Sequence, residues 1–252
     1  MANIYLFDVD GTLTPPKVKI DAGFESAFRR WMADKEVYIV SGGSFVRIVD
    51  QLGVAIVDKT EGVFACMGNT FYQRREQINH SGMNEWEIVY ENEFVAPKNL
   101  YRSLNSYVAK SDYHTKTGKH HEVRVGMLNF SIVGRNATME QRAEYAEYDA
   151  EHGERQRIAE KLRKKYPDMD FVIGGAVSMD IFNKGNDKSQ VIPRHLEEAL
   201  ENNQIHFVGD RIPSPGNDHA LAEKLRGHKN GHAYEVETWE DTAELLKTEP
   251  FA

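Results

Sequence analysis

The sequence predicts an α/β protein: a parallel sheet flanked by helices, with an α+β unit inserted in mid-chain. Three observations predict it. Short apolar runs alternate with stretches of helical spacing near both ends of the chain, the pattern of β-α-β units. Those runs end in loops rich in Gly, Asp and Ser, which collects polar groups at one sheet edge, where open α/β folds hold ligands. Between residues 80 and 184 the pattern shifts to paired strands with helices beside them. The expected organisation is therefore a core of residues 1–79 and 185–252 and an α+β cap domain of residues 80–184.

The core opens on Ile4 to Phe7, an apolar run suited to a strand covered on both faces. It leads straight into Asp8-Val9-Asp10-Gly11-Thr12-Leu13-Thr14. Two carboxylates so close repel each other unless a cation sits between them, and Mg²⁺, a hard ion that favours oxygen ligands, is the natural candidate. Pro15-Pro16-Lys17 leaves the sheet edge as a non-helical turn. Phe24, Ala27, Phe28 and Trp31 then recur at helical spacing within Ala22 to Lys35. Val37 to Val40 reads as a second strand and ends in Ser41-Gly42-Gly43-Ser44. Hydroxyls and glycine N–H groups there can hold a phosphoryl oxygen, with a helix N-terminus following at Phe45. A helix over Phe45 to Leu52, a short strand at Ala55 to Val57 and another at Gly62 to Ala65 continue the alternation. Gly68-Asn69-Thr70 marks a turn, and the single cysteine, Cys66, reads as a small buried apolar side chain.

In the insert, Asn84 to Lys110 is expected to be helical, broken at Ala96-Pro97. Glu122 to Arg124 and Met127 to Ser131 flank Val125-Gly126, a tight hairpin turn. Thr138-Met139-Glu140-Gln141 fits a capping box, so a helix starts there, with Arg142 in its first turn, and runs to Lys165 before Pro167. Strands at Phe171 to Ile173 and Val177 to Phe182 flank Gly174-Gly175.

The core pattern then returns. Asn186-Asp187-Lys188 precedes a helix over Ser189 to Glu201, and Ile205 to Val208 is a strand ending in Gly209-Asp210. A loop through Pro213-Ser214-Pro215-Gly216-Asn217-Asp218 leads to a helix ending near Leu225. A strand at Ala233 to Val236 and a helix from Trp239 to Leu246 close the core.

Composition narrows the function. The 252 residues carry a net charge of −8, which argues against nucleic-acid partners and against an anionic membrane surface. One cysteine cannot form an intrachain disulfide, the opening residues lack a basic and apolar leader, and no run is long enough to span a bilayer. A reducing cytoplasm is the expected setting.

Asp8-x-Asp10-Gly11-Thr12 directly after a buried strand resembles the first motif of the haloacid dehalogenase (HAD) phosphotransferase superfamily. Ser41, Lys188, and Gly209-Asp210 with Asn217-Asp218 fall where its other three motifs would follow, in order. The resemblance implies a Rossmann-like HAD core, Asp8 as nucleophile, Asp10 as general acid/base, and Ser41 bonded to the phosphoryl group. Asp8, Asp10 and Asp210 are the expected Mg²⁺ ligands, with Asn217 and Asp218 as further polar groups one loop later. The chemistry suits these residue types. A carboxylate attacks a phosphate dianion poorly unless metal and lysine cancel the repulsion, the part assigned to Lys188. Asp8 would then form an aspartyl phosphate, while Asp10 protonates the departing sugar oxygen and deprotonates the incoming one. To this point a hydrolase and a phosphotransferase look alike.

The insert distinguishes them. Arg124, Arg135 and Arg142 stand near the central hairpin, and Ser178 and Asp180 share one strand face. Guanidinium forks grip phosphate bidentately, and a hydroxyl with a carboxylate can bond sugar hydroxyls. A phosphate held away from the nucleophile suits a bisphosphate that turns end for end, which is mutase chemistry. Glu122 to Arg135, written Glu-x-Arg-x-Gly-Met-Leu-Asn-x-Ser-x-x-Gly-Arg, resembles the eukaryotic-type α-phosphomannomutase family. Gly174-Gly175 with Ser178-x-Asp180-x-Phe182, Asp187-Lys188, and Gly216-Asn217-Asp218-His219 support it. The resemblance implies interconversion of mannose 6-phosphate and mannose 1-phosphate, a hexose 1,6-bisphosphate activator, and a homodimer formed through the caps. Mannose and glucose phosphates differ at one hydroxyl that several cap residues could read, so both stay open. Two departures stand out. Lys17 occupies the place of a substrate-holding arginine, and Ala220-Leu221-Ala222-Glu223 replaces a Phe-x-Asp-x-x-Thr string tied to a second cation site. The rival readings are a HAD sugar-phosphate phosphatase and a silent sugar-phosphate-binding protein; the second would be expected to lose Asp8 or Asp10.

Overall fold

A computed structural model describes residues 1–78 and 84–252. The apolar runs near the start become β1 (Asn3–Phe7), β2 (Glu36–Val40) and β3 (Gly62–Ala65), with α1 (Ala22–Trp31), α2 (Phe45–Leu52) and the single turn α3 (Val54–Val57) between them. β4 (Thr70–Ile78) and β5 (Asn84–Glu91) follow. Next come α4 (Leu100–Lys110), β6 (His121–Arg124), β7 (Met127–Phe130), α5 (Met139–His152), α6 (Glu154–Lys165), β8 (Met169–Gly174) and β9 (Ser178–Asn183). α7 (Glu197–Asn202), β10 (Gln204–Gly209), α8 (His219–Arg226), β11 (Gly231–Glu235) and α9 (Trp239–Leu245) complete the chain.

The chain divides into two compact units, Met1–Glu91 with Asn186–Ala252, and Asn92–Gly185. The expected boundary at residues 79 and 80 lies outside the described residues.

The first unit carries a sheet in the order β11-β10-β1-β2-β3-β4-β5. Strands β11 through β3 run parallel, and β4 and β5 add an antiparallel edge. β1 is buried on both faces, as its unbroken apolar run requires. Ile4 and Leu6 join a cluster with Phe64, Phe207 and Leu221, while Phe7 meets Phe28 edge-on at 5.3 Å. Each fully buried side chain of this size contributes about 1.5–3 kcal/mol. The register is level: Phe7 lies beside Ile39 of β2 and Val208 of β10. Residues just beyond these strands, Asp8, Ser41 and Asp210, therefore leave the sheet at one carboxyl edge.

The second unit is a four-stranded antiparallel sheet, β6-β7-β9-β8, with α4, α5 and α6. Its own core gathers Leu104, Leu128, Tyr145, Leu162, Phe171 and Ile181. Gly126, at φ 66°, closes the two-residue β6–β7 turn. Thr138 and Gln141 form the expected capping box at the start of α5.

Four local expectations are corrected. Val54–Val57 is a helical turn, not a strand, because it continues the chain from Gly53 at the end of α2. Asn84–Glu91 is a strand paired to β4, since Trp86, Ile88 and Tyr90 alternate with Glu85, Glu87 and Glu91. The helix expected over residues 138–165 is two helices, because Gly153 adopts φ 60° and ends α5. The helix expected over residues 189–201 begins as a 3₁₀ turn and a π-helical turn, where Pro193 has no N–H to give. No helix among the described residues is long and apolar enough to cross a membrane.

Candidate active site

Asp8 follows β1 directly, and its carboxylate meets an ammonium from the far side of the insert. Asp187 caps the 3₁₀ turn at Lys188–Gln190 by accepting the Ser189 N–H at 2.8 Å. Lys188 is fully buried and donates to Asp8 Oδ1 and to Asp218 Oδ1, each at 2.6 Å. Asp218 is itself fixed, since its Oδ2 accepts the Arg211 N–H at 3.0 Å. Two glycines make room for this charge. A Cβ on Gly209 would lie 2.7 Å from Asp218 Oδ2, and one on Gly11, at φ 90°, would lie 2.5 Å from Asp210 Oδ2.

Burial pushes the Asp8 carboxyl well above the usual carboxylate range; Lys188 opposes that rise, while Asp218 and Asp210 add to it. Burial likewise takes Asp210 up to about 7, reinforced by Asp218 and opposed by Arg211 and Lys188. Burial pulls Lys188 down, but Asp218 and Asp8 outweigh it and raise its pKa, so the lysine stays charged. Asp8 and Asp218 thus share one buried ammonium, while Asp210 lies 3.2 Å from the Arg211 guanidinium. Asp8, Asp210 and Asp218 present oxygens within 4.8 Å of one another, a hard and electron-rich set that fits a divalent cation. The neighbouring Asn217 has a buried Oδ1 with no partner among the described residues.

Two of the expected ligands, Asp8 and Asp210, belong to this set, and Asp218 is its third member. The Asp10 carboxylate turns elsewhere. Its Oδ1 accepts the Lys17 N–H at 2.7 Å and the Gln51 amide at 2.8 Å, and its Oδ2 lies 3.7 Å from the Arg47 guanidinium. Lys17 thus reaches the site through its backbone, which is left-handed at φ 65°. Gln51 and Arg47 were not expected here, because in sequence they are ordinary polar positions of an amphipathic helix. Ser41 is buried at the end of β2, and its Oγ accepts the Gly43 N–H at 3.1 Å, which leaves the hydroxyl proton to donate.

In the second unit the structure joins most of the residues expected to bind substrate. Arg124 contacts Glu122 at 2.9 Å, and Arg135 contacts the same carboxylate oxygen. Arg135 also donates to Asn129 Oδ1 at 2.6 Å, and Asn129 donates to Asp180 at 2.7 Å. Arg142 donates to the Arg135 carbonyl at 3.0 Å and to the Ala137 carbonyl at 3.1 Å. The Ser178 hydroxyl turns to the Gly174 carbonyl at 2.8 Å, within its own hairpin. Glu122 and Asn129 are the connectors that the sequence reading did not single out. Strand pairing sets Glu122 opposite Asn129 and Asn129 opposite Asp180, while Glu122 meets Arg124 two residues along the same strand.

Comparison with known proteins gives a consistent result. Residues 24–249 match the family model described as eukaryotic phosphomannomutase. A phosphomannomutase from Dendrobium officinale is 35% identical over 249 residues, covering 97% of this chain and 92% of that protein. One from Saccharomyces cerevisiae is 31% identical over 247 residues, covering 96% and 92%. Among solved structures, a truncated Plasmodium falciparum IMP-nucleotidase superposes with a TM-score of 0.65 at 14% identity, covering 100% of this chain and 71% of that one. A trehalose-6-phosphate phosphatase related protein gives 0.54 at 18% identity, covering 96% and 95%. At such identities the two structures speak to the fold alone.

Proposed function

The chain belongs to the eukaryotic phosphomannomutase family, and from that premise we propose that it interconverts mannose 6-phosphate and mannose 1-phosphate through a phosphorylated Asp8. The family match carries the mutase, and one structural observation carries phosphoryl transfer through Asp8: a fully buried lysine bonded to Asp8 at the end of β1, its charge fixed by Asp218.

In this reading Lys188 offsets the repulsion between Asp8 and an incoming phosphate, so that an Asp8 oxygen can attack in line. Ser41 donates its hydroxyl proton to a phosphoryl oxygen. Asp10 gives a proton to the departing sugar oxygen and takes one from the incoming hydroxyl. A Mg²⁺ ion, held chiefly by Asp8 and Asp210, would supply charge neutralisation at the phosphoryl oxygens. Lys17, Arg124, Arg135, Arg142, Ser178 and Asp180 bind the rest of the substrate, with the arginines taking the phosphate that is not being transferred. The inserted unit acts as a cap, and a hexose 1,6-bisphosphate serves as activator. The family resemblance also supports a homodimer joined through that unit, and the single cysteine and net charge of −8 suit a cytoplasmic enzyme without nucleic-acid or membrane partners.

A phosphorus NMR time course on mannose 1-phosphate, Mg²⁺ and a hexose 1,6-bisphosphate tests the reaction. Mannose 6-phosphate is the expected product, and inorganic phosphate as the main product would reject the mutase. Chelation with EDTA is expected to abolish turnover, and restored Mg²⁺ should both recover it and raise the melting temperature. Full turnover in EDTA would remove the cation from the scheme.

A further inference from the structure

We infer that Gln51 and Arg47 on α2 are positioning residues for the proton shuttle, fixing Asp10 by Oδ1 so that Oδ2 exchanges the proton with substrate. The inference rests on the role proposed above for Asp10. Gln51 is buried in the last turn of α2, at 4% exposure, where an unpartnered amide would be unfavourable. Its Nε2 donates to Asp10 Oδ1 at 2.8 Å and to Thr14 Oγ1 at 3.1 Å. Arg47, one helical turn earlier, donates from Nε to Gln51 Oε1 at 3.2 Å. That bond decides which way the amide faces: with Oε1 toward the guanidinium, Nε2 must face the carboxylate.

The second tether is the Lys17 N–H, 2.7 Å from the same oxygen and presented by left-handed backbone that a lysine rarely adopts. Asp10 Oδ1 therefore accepts two hydrogen bonds, and rotating the carboxyl would break both. With Oδ1 engaged in this way, Oδ2 is the oxygen that can meet the substrate. As the bond from Asp8 to phosphorus forms and the bond from phosphorus to the sugar oxygen breaks, Oδ2 gives its proton to the departing oxygen. In the second transfer the attacking sugar hydroxyl returns a proton to Oδ2, its oxygen bonds phosphorus, and the aspartyl bond breaks. One Arg47 nitrogen, Nη2, 3.7 Å from Oδ2, is buried and has no hydrogen-bond partner among the described residues. Buried guanidinium N–H groups ordinarily find an acceptor, and the sugar oxygen served by Oδ2 is one.

The test compares two rates in each variant: turnover of mannose 1-phosphate, and phosphoenzyme formation from acetyl phosphate, whose acetate leaves without needing a proton. Asp10→Asn is expected to lower the first relative to the second by about 10²-fold or more. If that ratio does not move, the role of Asp10 fails and the inference falls with it. Given that response, Gln51→Leu is expected to lower the ratio about tenfold, with the KM for mannose 1-phosphate changed less than kcat. Gln51→Glu, which sets an acceptor against Oδ1, should do the same and decides the matter if the leucine variant does not fold. Arg47→Lys should keep more of the ratio than Arg47→Met. An unchanged ratio in the folded Gln51 variants overturns the inference, and so does an equal fall in both rates, the mark of a merely structural role.

Discussion

Lys188 shows how one side chain can set the terms of a site. A lone buried ammonium is strongly disfavoured, and removing one partner of a buried ion pair commonly costs about 3–5 kcal/mol. Here two carboxylates at 2.6 Å hold the lysine charged, and in the proposed mechanism the lysine makes Asp8 approachable by a phosphate. Asp8→Asn keeps the shape and removes the proposed nucleophile. It is expected to lower turnover by about 10³-fold or more and to abolish the phosphoenzyme in intact-mass measurements. Turnover near that of the parent would overturn the assignment. Asp8 and Lys188 were legible in sequence because strand, loop and motif order place them. The closeness of Asp218 to Asp8 and Asp210 was not, since spacing says nothing about which way a carboxylate turns. Gln51 was equally hidden: a polar residue on a helix looks the same whether it meets water or an aspartate.

Elements bring these residues together, and the level ends of β1, β2 and β10 do most of it. β10 must also end on a residue without a side chain, because Asp218 folds back against Gly209. Gly209→Ala would push a methyl group against the Asp218 carboxylate and the Phe207 ring. About 1–3 kcal/mol of destabilisation is expected in urea titration, with a fall in turnover as Lys188 loses its alignment. Stability and turnover both unchanged would mean that the loop yields freely. The parallel core strands were plain in the sequence, being apolar runs bounded by turn residues. Val54–Val57 was not, because four β-branched and small residues carry too little periodicity to separate a strand from a helical turn. The alternation in Asn84–Glu91 was present but outweighed by the expectation that the insert had already begun.

At the scale of the whole molecule, acid sensitivity has a source away from the site. His206 on β10 is buried, stacks on His232 at 4.9 Å and on Tyr5 at 5.4 Å, and bonds the Tyr234 hydroxyl at 3.1 Å. Burial, with His232 adding, lowers its pKa to about 4. An unfolded histidine titrates near 6.5, so between these values the unfolded chain binds the extra proton. The contribution is thus fully present above about pH 6.5 and is lost as pH falls toward 4, by as much as about 3 kcal/mol. Urea midpoints measured across that window should fall with pH, and His206→Gln should flatten the slope; an unaltered slope would place the sensitivity elsewhere.

The division of the chain has a temporal consequence as well. Asp8 and Lys188 are separated by 180 residues, and the entire second unit is written between them. During synthesis the nucleophile emerges first, while its counter-charge and the neighbouring strand β10 do not yet exist. Asn92–Gly185, by contrast, is contiguous and carries its own core, so it has all it needs to fold as soon as its last strand leaves the ribosome, while the final core elements are still emerging. The half of the protein assigned to gripping substrate can therefore mature before the half that does the chemistry, and a chain interrupted within the insert leaves no active phosphoryl acceptor behind.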